Sequence, residues 1–360
     1  MQSILFLSDN YFWGMLAWLA AGACSLVILI RRRRRVSSRA RRWVHAGLSA
    51  WMVLSGLTGV ELYYALLYDT TDSFSMTNVS KKWFAMHVKP GERELRFNTR
   101  AGILYREDHD LPATRGDEDQ RHVVFVGDSF TYGHGVKRTG DRFTNRLAMS
   151  LEATRPGRYT ITNLSNAGRD LYWVHRLLEE LFAGKYPVDR VIYVVCLNDI
   201  ETFHPRHKTY YTDLARHAPK FFLWRDTYFF NLMYFRLRQF AIPDIRDYYR
   251  FVREYYDGQP WQDMQDRLDD VLALCQRHEA RLEVIVFPFL HNLGPDYPFR
   301  DVHDQFAEWG KDREVRLLDL IKTLQPHVSS GLTVNAYDAH PNERAHALVA
   351  ETIERALFAD

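Results

Sequence analysis

Apolar positions along the chain fall into two arrangements, and each predicts a different kind of structure. Close to the N-terminus, two long apolar stretches occupy positions 11–30 and 44–67. Beyond residue 120, short runs of β-branched and aromatic residues alternate with segments of helical periodicity. Such alternation is typical of a parallel sheet with helices on both faces, so we predict an α/β domain over 121–360.

Five β-type runs and five helical segments make up the alternating part of the chain. The runs that predict strands are Val123–Val126, Tyr159–Ile161, Val191–Val195, Leu282–Phe287 and Val315–Leu318. Helical periodicity covers Asp141–Ala153, Leu171–Ala183, Trp261–His278, Phe299–Trp309 and Asn342–Phe358. Residues 68–120, which precede this part, are polar and mixed in character, and we interpret them as a stalk and lead-in.

The two N-terminal apolar stretches are long enough to cross the hydrocarbon core of a membrane. The first runs for about 20 residues without a charged side chain. The second carries His45 near one end and Glu61 near the other. We therefore predict a membrane anchor of two transmembrane helices, at about 11–30 and 44–67.

Arginine is concentrated in the segment 31–43, between the two apolar stretches. Because arginine in a short connection marks the cytoplasmic side of a membrane, we predict that this segment is a cytoplasmic loop. Both termini and the α/β domain would then lie on the periplasmic or extracellular side of the cell (inner) membrane. A cleavable signal peptide would carry positive charges before its apolar run, where only Asp9 is charged in this chain.

The charge balance bears on the partners of the protein. The whole chain has a formal charge of +2, and eight arginines against one aspartate contribute +7 up to Trp43, so the remainder carries −5. A domain of that charge has no general electrostatic attraction for nucleic acid. We expect the membrane as a partner and no nucleic acid, and the sequence does not identify a protein partner.

The first predicted strand, Val123–Val126, ends in Gly127-Asp128-Ser129. Open α/β sheets bind their ligands at the carboxyl ends of the strands, which is where this serine lies. One interpretation is an ordinary strand-to-loop turn, in which Asp and Ser bond the local backbone. The other is a reactive serine, and the rest of the chain bears on the choice.

Three later segments accompany this serine in a fixed order. Asn163–Gly168 follows the second β-type run, Cys196-Leu197-Asn198-Asp199 follows the third, and Asp338-Ala339-His340 lies near the C-terminus. Together with Gly127-Asp128-Ser129, they resemble the four sequence blocks of the SGNH (GDSL-type) hydrolases. The resemblance covers about 121–358, and four blocks in the right order favour the reactive serine.

The resemblance implies an SGNH-like three-layer sandwich with a central parallel sheet and a serine-dependent active site. It implies that Ser129 is the nucleophile, His340 the general base and Asp338 the acid that orients the imidazole. An oxyanion hole would be formed by the N–H groups of Ser129 and Gly168 and the side-chain amide of Asn198.

These residue types suit acyl chemistry. A serine hydroxyl is a weak nucleophile until a base takes its proton, and imidazole can do so near neutral pH. A carboxylate fixes the tautomer of that imidazole and stabilises the imidazolium that forms. We expect Asp128 and Asp199, which lie within two of the blocks, to support the site.

Two residues depart from the usual pattern of the family. Cys196 stands where the third block has glycine, and we expect its side chain to narrow the acyl pocket. Asp338 precedes His340 by two residues instead of three. That shorter spacing also occurs in relatives that transfer or remove acetyl groups on bacterial polysaccharides, so the spacing bears on the role of Asp338 more than on the class of chemistry.

No motif indicates a metal or a cofactor. The chain has no His-Glu-x-x-His and no Cys-x-x-Cys, and Pro205 between His204 and His207 argues against a helical ligand pair. The three cysteines have no spacing typical of a disulfide framework. We expect neither a metal nor a cofactor.

An aromatic-rich insert at about 202–259 interrupts the alternating pattern. It is interpreted as a helical subdomain that packs on itself, as a lid over the acyl site or as a face that contacts the membrane, and the sequence leaves these open. For the activity we expect a serine esterase acting on an acylated glycan or lipid. An O-acyltransferase that acetylates a surface polysaccharide and a non-catalytic scaffold for envelope assembly are the alternatives.

Overall fold

The computed structural model describes residues 9–73, 76–88, 95–205 and 209–359, so His207 lies outside the described residues. The chain divides into two compact units, and each has a hydrophobic core of its own. The helical unit comprises the residues up to Met86 together with Leu214–Ala241. The α/β unit comprises His87–Asp213 and Ile242–Asp360.

Nine strands lie in the described part of the α/β unit. They are β1 (Leu95–Asn98), β2 (Ile103–Arg106), β3 (Arg121–Gly127), β4 (Tyr159–Asn163), β5 (Arg190–Cys196), β6 (Arg281–Phe287), β7 (Arg316–Asp319), β8 (Thr333–Asn335) and β9 (Asp338–Pro341). Five of them form one parallel sheet in the order β4-β3-β5-β6-β7, while β1-β2 and β8-β9 are antiparallel pairs. All five predicted strands are in the parallel sheet, so the predicted α/β fold is confirmed.

Helices precede, separate and follow the strands along the described part of the chain. In chain order they are α1 (Asp9–Arg35), α2 (Ser38–Leu66), α3 (Asn78–His87), α4 (Ser129–Tyr132), α5 (Phe143–Thr154), α6 (Leu171–Ala183), α7 (Thr209–Arg216), α8 (Phe222–Arg225), α9 (Phe229–Ala241), α10 (Pro243–Arg246), α11 (Tyr248–Tyr255), α12 (Gln259–Arg277), α13 (Arg300–Asp312), α14 (Ile321–Leu324) and α15 (Glu343–Leu357). Short 3₁₀ turns cover Thr139–Asp141, Leu197–Phe203, Leu290–Asn292 and Gln325–Ser330.

The central strands of the sheet are buried on both faces. Six consecutive residues are buried in each of β3, β5 and β6. Parallel strands covered by helices on both sides need such continuous apolar runs, whereas a strand with one wet face alternates. The sequence of these strands therefore matches their place in the middle of the sheet.

Part of the segment 68–120, interpreted as a stalk and lead-in, is an ordered piece of the α/β unit. The β1-β2 hairpin and the residues after it belong to the α/β unit, and Ala101, Ile103 and Tyr105 are buried in its hydrophobic core. Arg106 and Glu107 are also buried. Only four residues of each strand pair in this hairpin, so its sequence signal is short.

The helical unit begins with two long helices, α1 and α2. Trp51 donates its indole N–H to the carbonyl of Gly22 at 2.8 Å, and Trp18 donates to the Thr58 hydroxyl at 2.9 Å. The earlier residue of α1 pairs with the later residue of α2, so the two helices form an antiparallel hairpin.

The arginine segment 31–43 is not a loop. Arg31–Arg35 extend α1, and α2 begins at Ser38, so only Val36 and Ser37 lie outside the helices. Arginine has a high helix propensity, and cations are favourable at the C-terminal end of a helix. The polar sequence therefore marks a short turn between two helices.

Among the described residues, one helix is long and apolar enough to cross a membrane. That helix is α1. The second predicted span lies in α2, which is not apolar enough by the same criterion of length and hydropathy. Two spans are therefore not shown.

The buried imidazole of His346, on α15, makes the α/β unit sensitive to acid. The Nδ1 atom of His346 accepts a hydrogen bond from the Phe143 N–H at 3.1 Å, and burial lowers the pKa of His346 to about 3. The unfolded chain takes up a proton below its own pKa of about 6.5, whereas the native state stays neutral down to about pH 3. The contribution of neutral His346 to the free energy of unfolding is therefore fully present above pH 6.5 and is lost progressively as the pH falls towards 3.

Acidification from pH 7 to 5 is expected to lower the free energy of unfolding by about 2 kcal/mol through His346 alone. The variant His346→Asn keeps an acceptor for the Phe143 N–H and cannot titrate, so its acid-induced loss should be smaller by that amount. Chemical unfolding of the full chain in detergent at both pH values measures the difference. His278→Asn, at an exposed position, is the matched control and should retain the loss of the original protein.

Candidate active site

The strand-to-helix turn at the end of β3 presents Ser129. Asp128 is the N-cap of α4, and its Oδ1 accepts the Phe130 N–H at 2.9 Å. A β-carbon at Gly127 would lie 2.6 Å from the Thr131 hydroxyl and 2.7 Å from the Val194 carbonyl oxygen. These contacts are too short for any side chain, so the tight turn requires glycine at position 127.

The structure brings Ser129, His340 and Asp338 together. His340 Nε2 lies 2.8 Å from the hydroxyl oxygen of Ser129, and His340 Nδ1 lies 2.5 Å from Asp338 Oδ1. The imidazole therefore bridges the hydroxyl and the carboxylate through its two ring nitrogens. This is the arrangement in which a histidine can take the proton of a serine while a carboxylate holds its tautomer.

The spacing of Asp338 and His340 follows from their strand. Both residues lie on β9, where positions two apart point to the same side. The α15 helix that follows is capped by Asn342, whose side chain accepts the N–H groups of Arg344 and Ala345, each at 3.1 Å. Asp338 is therefore not the cap of the final helix, and its carboxylate is directed to His340.

His134 is a residue of this cluster that the sequence analysis missed. Its Nε2 lies 3.3 Å from Asp338 Oδ2, and its ring centroid lies 4.2 Å from that of His340. The flanking Gly133 and Gly135 have φ values of +77° and +84°, which favour glycine. The Gly-His-Gly sequence five residues after Ser129 was the available signal, because paired glycines indicate a turn of special shape.

The two histidines determine the charge of Asp338. Burial alone would raise the pKa of this carboxyl, but the charge of His340 and hydrogen bonds from His134 and His340 outweigh that effect. They hold the pKa of Asp338 well below its usual range. The carboxylate therefore stays ionised at neutral pH, which lets it stabilise a protonated His340.

The predicted oxyanion donors lie in loops at the same edge of the sheet as Ser129. Gly168 follows β4, has a φ of +71° and has open space where a β-carbon would point. The loop that contains Gly168 is tied to the serine turn, because Asn166 donates its N–H to the Gly127 carbonyl at 3.3 Å. Asn198 follows β5, and its side-chain oxygen is buried without a hydrogen-bond partner among the described residues.

The predicted supporting residues Asp128 and Asp199 are both buried. Burial raises the pKa of each carboxyl, and the charge of Asp128 adds to the effect on Asp199. The carboxylate of Asp199 accepts the Tyr193 hydroxyl at 2.6 Å and the Cys196 N–H at 3.3 Å. These hydrogen bonds fix the backbone at the start of the Asn198 turn.

Cys196 does not narrow an open pocket as predicted. Its side chain is completely buried in the core, and its thiol is hydrogen-bonded to Asp128. Burial raises the pKa of the Cys196 thiol well above its usual range, so the thiol is neutral. The thiol therefore packs against Asp128, the residue that directly precedes Ser129.

The second part of the aromatic insert packs against this edge of the α/β unit. Val252 and Tyr256 are buried in the core of the unit, and the Tyr256 hydroxyl donates to the carbonyl of Leu197 at 2.8 Å. Leu197 directly precedes Asn198, so this contact supports the turn that carries the amide.

Among the described residues, two groups of side chains could hold a cation by their geometry. The ligand atoms of His134, Asp338 and His340 lie within 4.8 Å of one another, as do those of Glu107, Asp108 and His109. In the first group, a cation on His340 Nδ1 would displace the hydrogen bond to Asp338. Metal binding there and the Ser129–His340–Asp338 arrangement therefore exclude each other, and the expectation of no metal stays a prediction.

The fold and the geometry of this site are typical of a serine hydrolase built on an α/β sheet. The model of the GDSL-like lipase/acylhydrolase family matches residues 125–348. The chain therefore belongs to that family, as the sequence blocks predicted, and it is a hydrolase acting on ester bonds. A search of curated proteins found no match.

Solved structures with a similar fold include three esterases or lipolytic proteins. One is a member of the lipolytic G-D-S-L family from Veillonella parvula DSM 2008, with 15% identity and a TM-score of 0.42 over 67% of this chain and 100% of that chain. The psychrotrophic esterase EstA from Pseudoalteromonas sp. has 17% identity and a TM-score of 0.41 over 66% and 97%. The acetyl xylan esterase AlAXEase has 16% identity and a TM-score of 0.40 over 66% and 99%.

The variant His134→Ala is expected to lower kcat about 10-fold with little change in KM, because Asp338 loses one of its two histidine partners. His134→Gln places an amide N–H near the position of the imidazole Nε2 and should restore most of the rate. Steady-state kinetics on a short-chain ester and a thermal melt of each variant test this. If His134→Ala melted at a lower temperature with an unchanged kcat, His134 would only stabilise the fold.

Proposed function

We propose that the protein is a membrane-anchored serine esterase that removes O-acyl groups outside the cytoplasm. Ser129 is the nucleophile, His340 the general base and Asp338 the acid that orients it. The observation that carries the proposal is the continuous hydrogen-bonded series from the Ser129 hydroxyl through His340 to the ionised Asp338.

The first half of the reaction acylates the enzyme. Ser129 Oγ attacks the carbonyl carbon of the ester while its proton passes to His340 Nε2, 2.8 Å away. The imidazolium is stabilised by Asp338 and then gives this proton to the departing alcohol oxygen as the old ester bond breaks. The alcohol leaves, and the acyl group remains bonded to Ser129.

The second half of the reaction returns the free enzyme. Water loses a proton to His340 as its oxygen attacks the acyl carbon, and His340 then protonates Ser129 Oγ as the acyl–serine bond breaks. The products are a carboxylic acid and the original hydroxyl of the enzyme. Attack by a sugar hydroxyl in place of water would give acyl transfer instead.

Charge that develops on the carbonyl oxygen requires donors aimed at it. We assign this role to the N–H groups of Ser129 and Gly168 and to the amide of Asn198. The place of Asn198 supports the assignment, because it follows β5, which pairs in parallel with the β3 strand that leads to Ser129. Each such donor contributes about 10²–10³ in rate.

The location is part of the same proposal. Helix α1 is the candidate membrane anchor, and α2 is proposed as a second span that returns the chain to the outer side. The arginines at the end of α1 and the start of α2 would lie on the cytoplasmic side. The α/β unit would then act on an acylated glycan or lipid of the cell envelope.

Ser129→Ala is expected to abolish both covalent labelling by a fluorophosphonate probe and ester hydrolysis, because no other described serine is paired with His340. The full chain in detergent should retain its melting temperature, since the lost hydroxyl is not part of the core. Ser165→Ala removes a buried hydroxyl that has no partner among the described residues, and it is the matched control that should keep labelling. Unchanged hydrolysis by Ser129→Ala would refute the assignment of the nucleophile.

Asp338→Asn is expected to lower kcat by about 10⁴, because an amide favours the wrong tautomer of His340. KM should change little, since the carboxylate does not contact substrate. Kinetics of this variant beside those of Ser129→Ala provide the measurement. A rate close to that of the original protein would leave a Ser129–His340 pair that works without a carboxylate.

A further inference from the structure

The α9 helix of the helical unit is apolar on two opposite faces. One face is buried and carries Leu232 and Phe235, which are 2% and 4% exposed. The opposite face carries Leu237 and Phe240, which are 58% and 71% exposed. Large apolar side chains that stay exposed on one side of a helix, while its other side is already packed, mark a surface that contacts a partner or a membrane.

Two partly buried apolar side chains extend this surface along α9, and two exposed ones lie at α8. Phe230 and Met233 precede Leu237 at spacings of three and four residues and share its side of α9. Phe221 and Phe222, at the start of α8, are 55% and 61% exposed. We call this set the outer apolar stripe: Phe221, Phe222, Phe230, Met233, Leu237 and Phe240.

A buried carboxylate ties α9 to the two N-terminal helices. Glu61 of α2 accepts the N–H groups of Tyr228 and Phe229 at 2.7 and 2.8 Å, and so caps the first turn of α9. The same carboxylate accepts the Tyr11 hydroxyl of α1 at 2.8 Å. Three donors on one carboxylate fix the start of α9 against both helices of the proposed anchor.

These contacts determine the depth of α9 if the anchor spans the membrane. Glu61 lies five residues before the end of α2 at Leu66, which is about 7.5 Å along the helix axis. Tyr11 lies in the first turn of α1. Because the two helices are antiparallel, it is at the same end of the hairpin as Glu61. The first turn of α9 is therefore held at the level of the lipid headgroups and the adjoining acyl chains.

Basic side chains accompany the apolar stripe. Residues 221–241 contain Arg225, Arg236 and Arg238 against the single acid Asp226, a net charge of +2. Arg225 pairs with Asp226 and Arg236 pairs with Asp72 within the helical unit. Aromatic and aliphatic side chains flanked by arginine are nevertheless the composition of helices that lie in a membrane interface.

We propose that α8 and α9 lie on the outer leaflet of the membrane, with the outer apolar stripe inserted among the acyl chains. The occupant of this face is the lipid surface. The inference rests on the proposed membrane anchoring, and it adds a second membrane contact from residues far along the chain from the anchor. A second copy of the chain on the same face is the competing outcome of the test.

The experiment uses the full chain in vesicles of phosphatidylethanolamine and phosphatidylglycerol. An environment-sensitive fluorophore is attached in turn to Leu237→Cys and Phe240→Cys, each in a Cys24→Ala background. The remaining Cys196 and Cys275 are buried and so are protected from the reagent. We expect lipids with a nitroxide on the acyl chain to quench most of the emission at both positions, while aqueous iodide has little effect.

Two controls separate this proposal from the proposed anchoring. A label on the exposed Cys24 of α1 reports whether the anchor itself is in lipid. A label at Lys311→Cys, exposed on the α/β unit, should be quenched by iodide only. If Cys24 is quenched by lipid and Leu237 by iodide, the anchoring stands and the stripe proposal is overturned.

Two other results would also overturn the proposal. If neither Cys24 nor Leu237 is quenched by lipid, the anchoring and the stripe contact both fail. Protection of Leu237 from both quenchers, together with energy transfer between labelled copies, would assign the face to a second copy of the chain. Labelling of Ser129 by a fluorophosphonate is measured in parallel, because the esterase assignment does not depend on any of these outcomes.

Discussion

A buried ion pair between Arg142 and Glu107 supports the loops around the candidate active site. The two side chains are each 1% exposed, and Arg142 donates to Glu107 Oε2 at 2.8 Å. The other carboxylate oxygen of Glu107 accepts the Asn163 N–H at the end of β4. Removal of either partner would leave an uncompensated charge in the core, which costs about 3–5 kcal/mol.

The shape of the loop that carries His134 depends on this pair and on a neighbouring arginine. The side chain of Arg142 packs where a β-carbon of Gly133 would be, at 2.7 Å. Arg106 donates to the carbonyls of Val136 and Lys137 at 3.0 and 2.9 Å. These contacts hold the loop from both sides, and His134 within it lies against Asp338.

The pKa values of the carboxyls in the site shift in opposite directions because their surroundings differ. Two histidines hold the pKa of Asp338 low, whereas burial raises the pKa of Asp128 and of Asp199, and the charge of Asp128 raises the pKa of Asp199 further. Environments that push the pKa values of like residues apart are how one site holds an acid and a base in separate roles. Asp338, whose pKa is lowered, is the carboxyl that is hydrogen-bonded to His340, where an imidazolium would form.

The order of elements and the chemistry of the site follow from local sequence. Continuous apolar runs specify central parallel strands, because both faces of such strands are covered, and Gly127 is required by the turn that presents Ser129. The serine, histidine and carboxylate were predictable because each lies in a short block with its own sequence pattern. The same local information predicted the first apolar helix.

Only the tertiary structure decided which distant residues meet. Arg106 and Glu107 lie in a segment interpreted as a lead-in, and their burial depends on partners 30 to 56 residues away in sequence. His134 joins the site through a loop whose path is determined by those buried charges. The aromatic insert divides between two units, with α9 capped by Glu61 from α2 and Tyr256 bonded to Leu197. Periodicity reports which faces of a segment are apolar, whereas the partner of each face depends on packing between segments far apart in the chain.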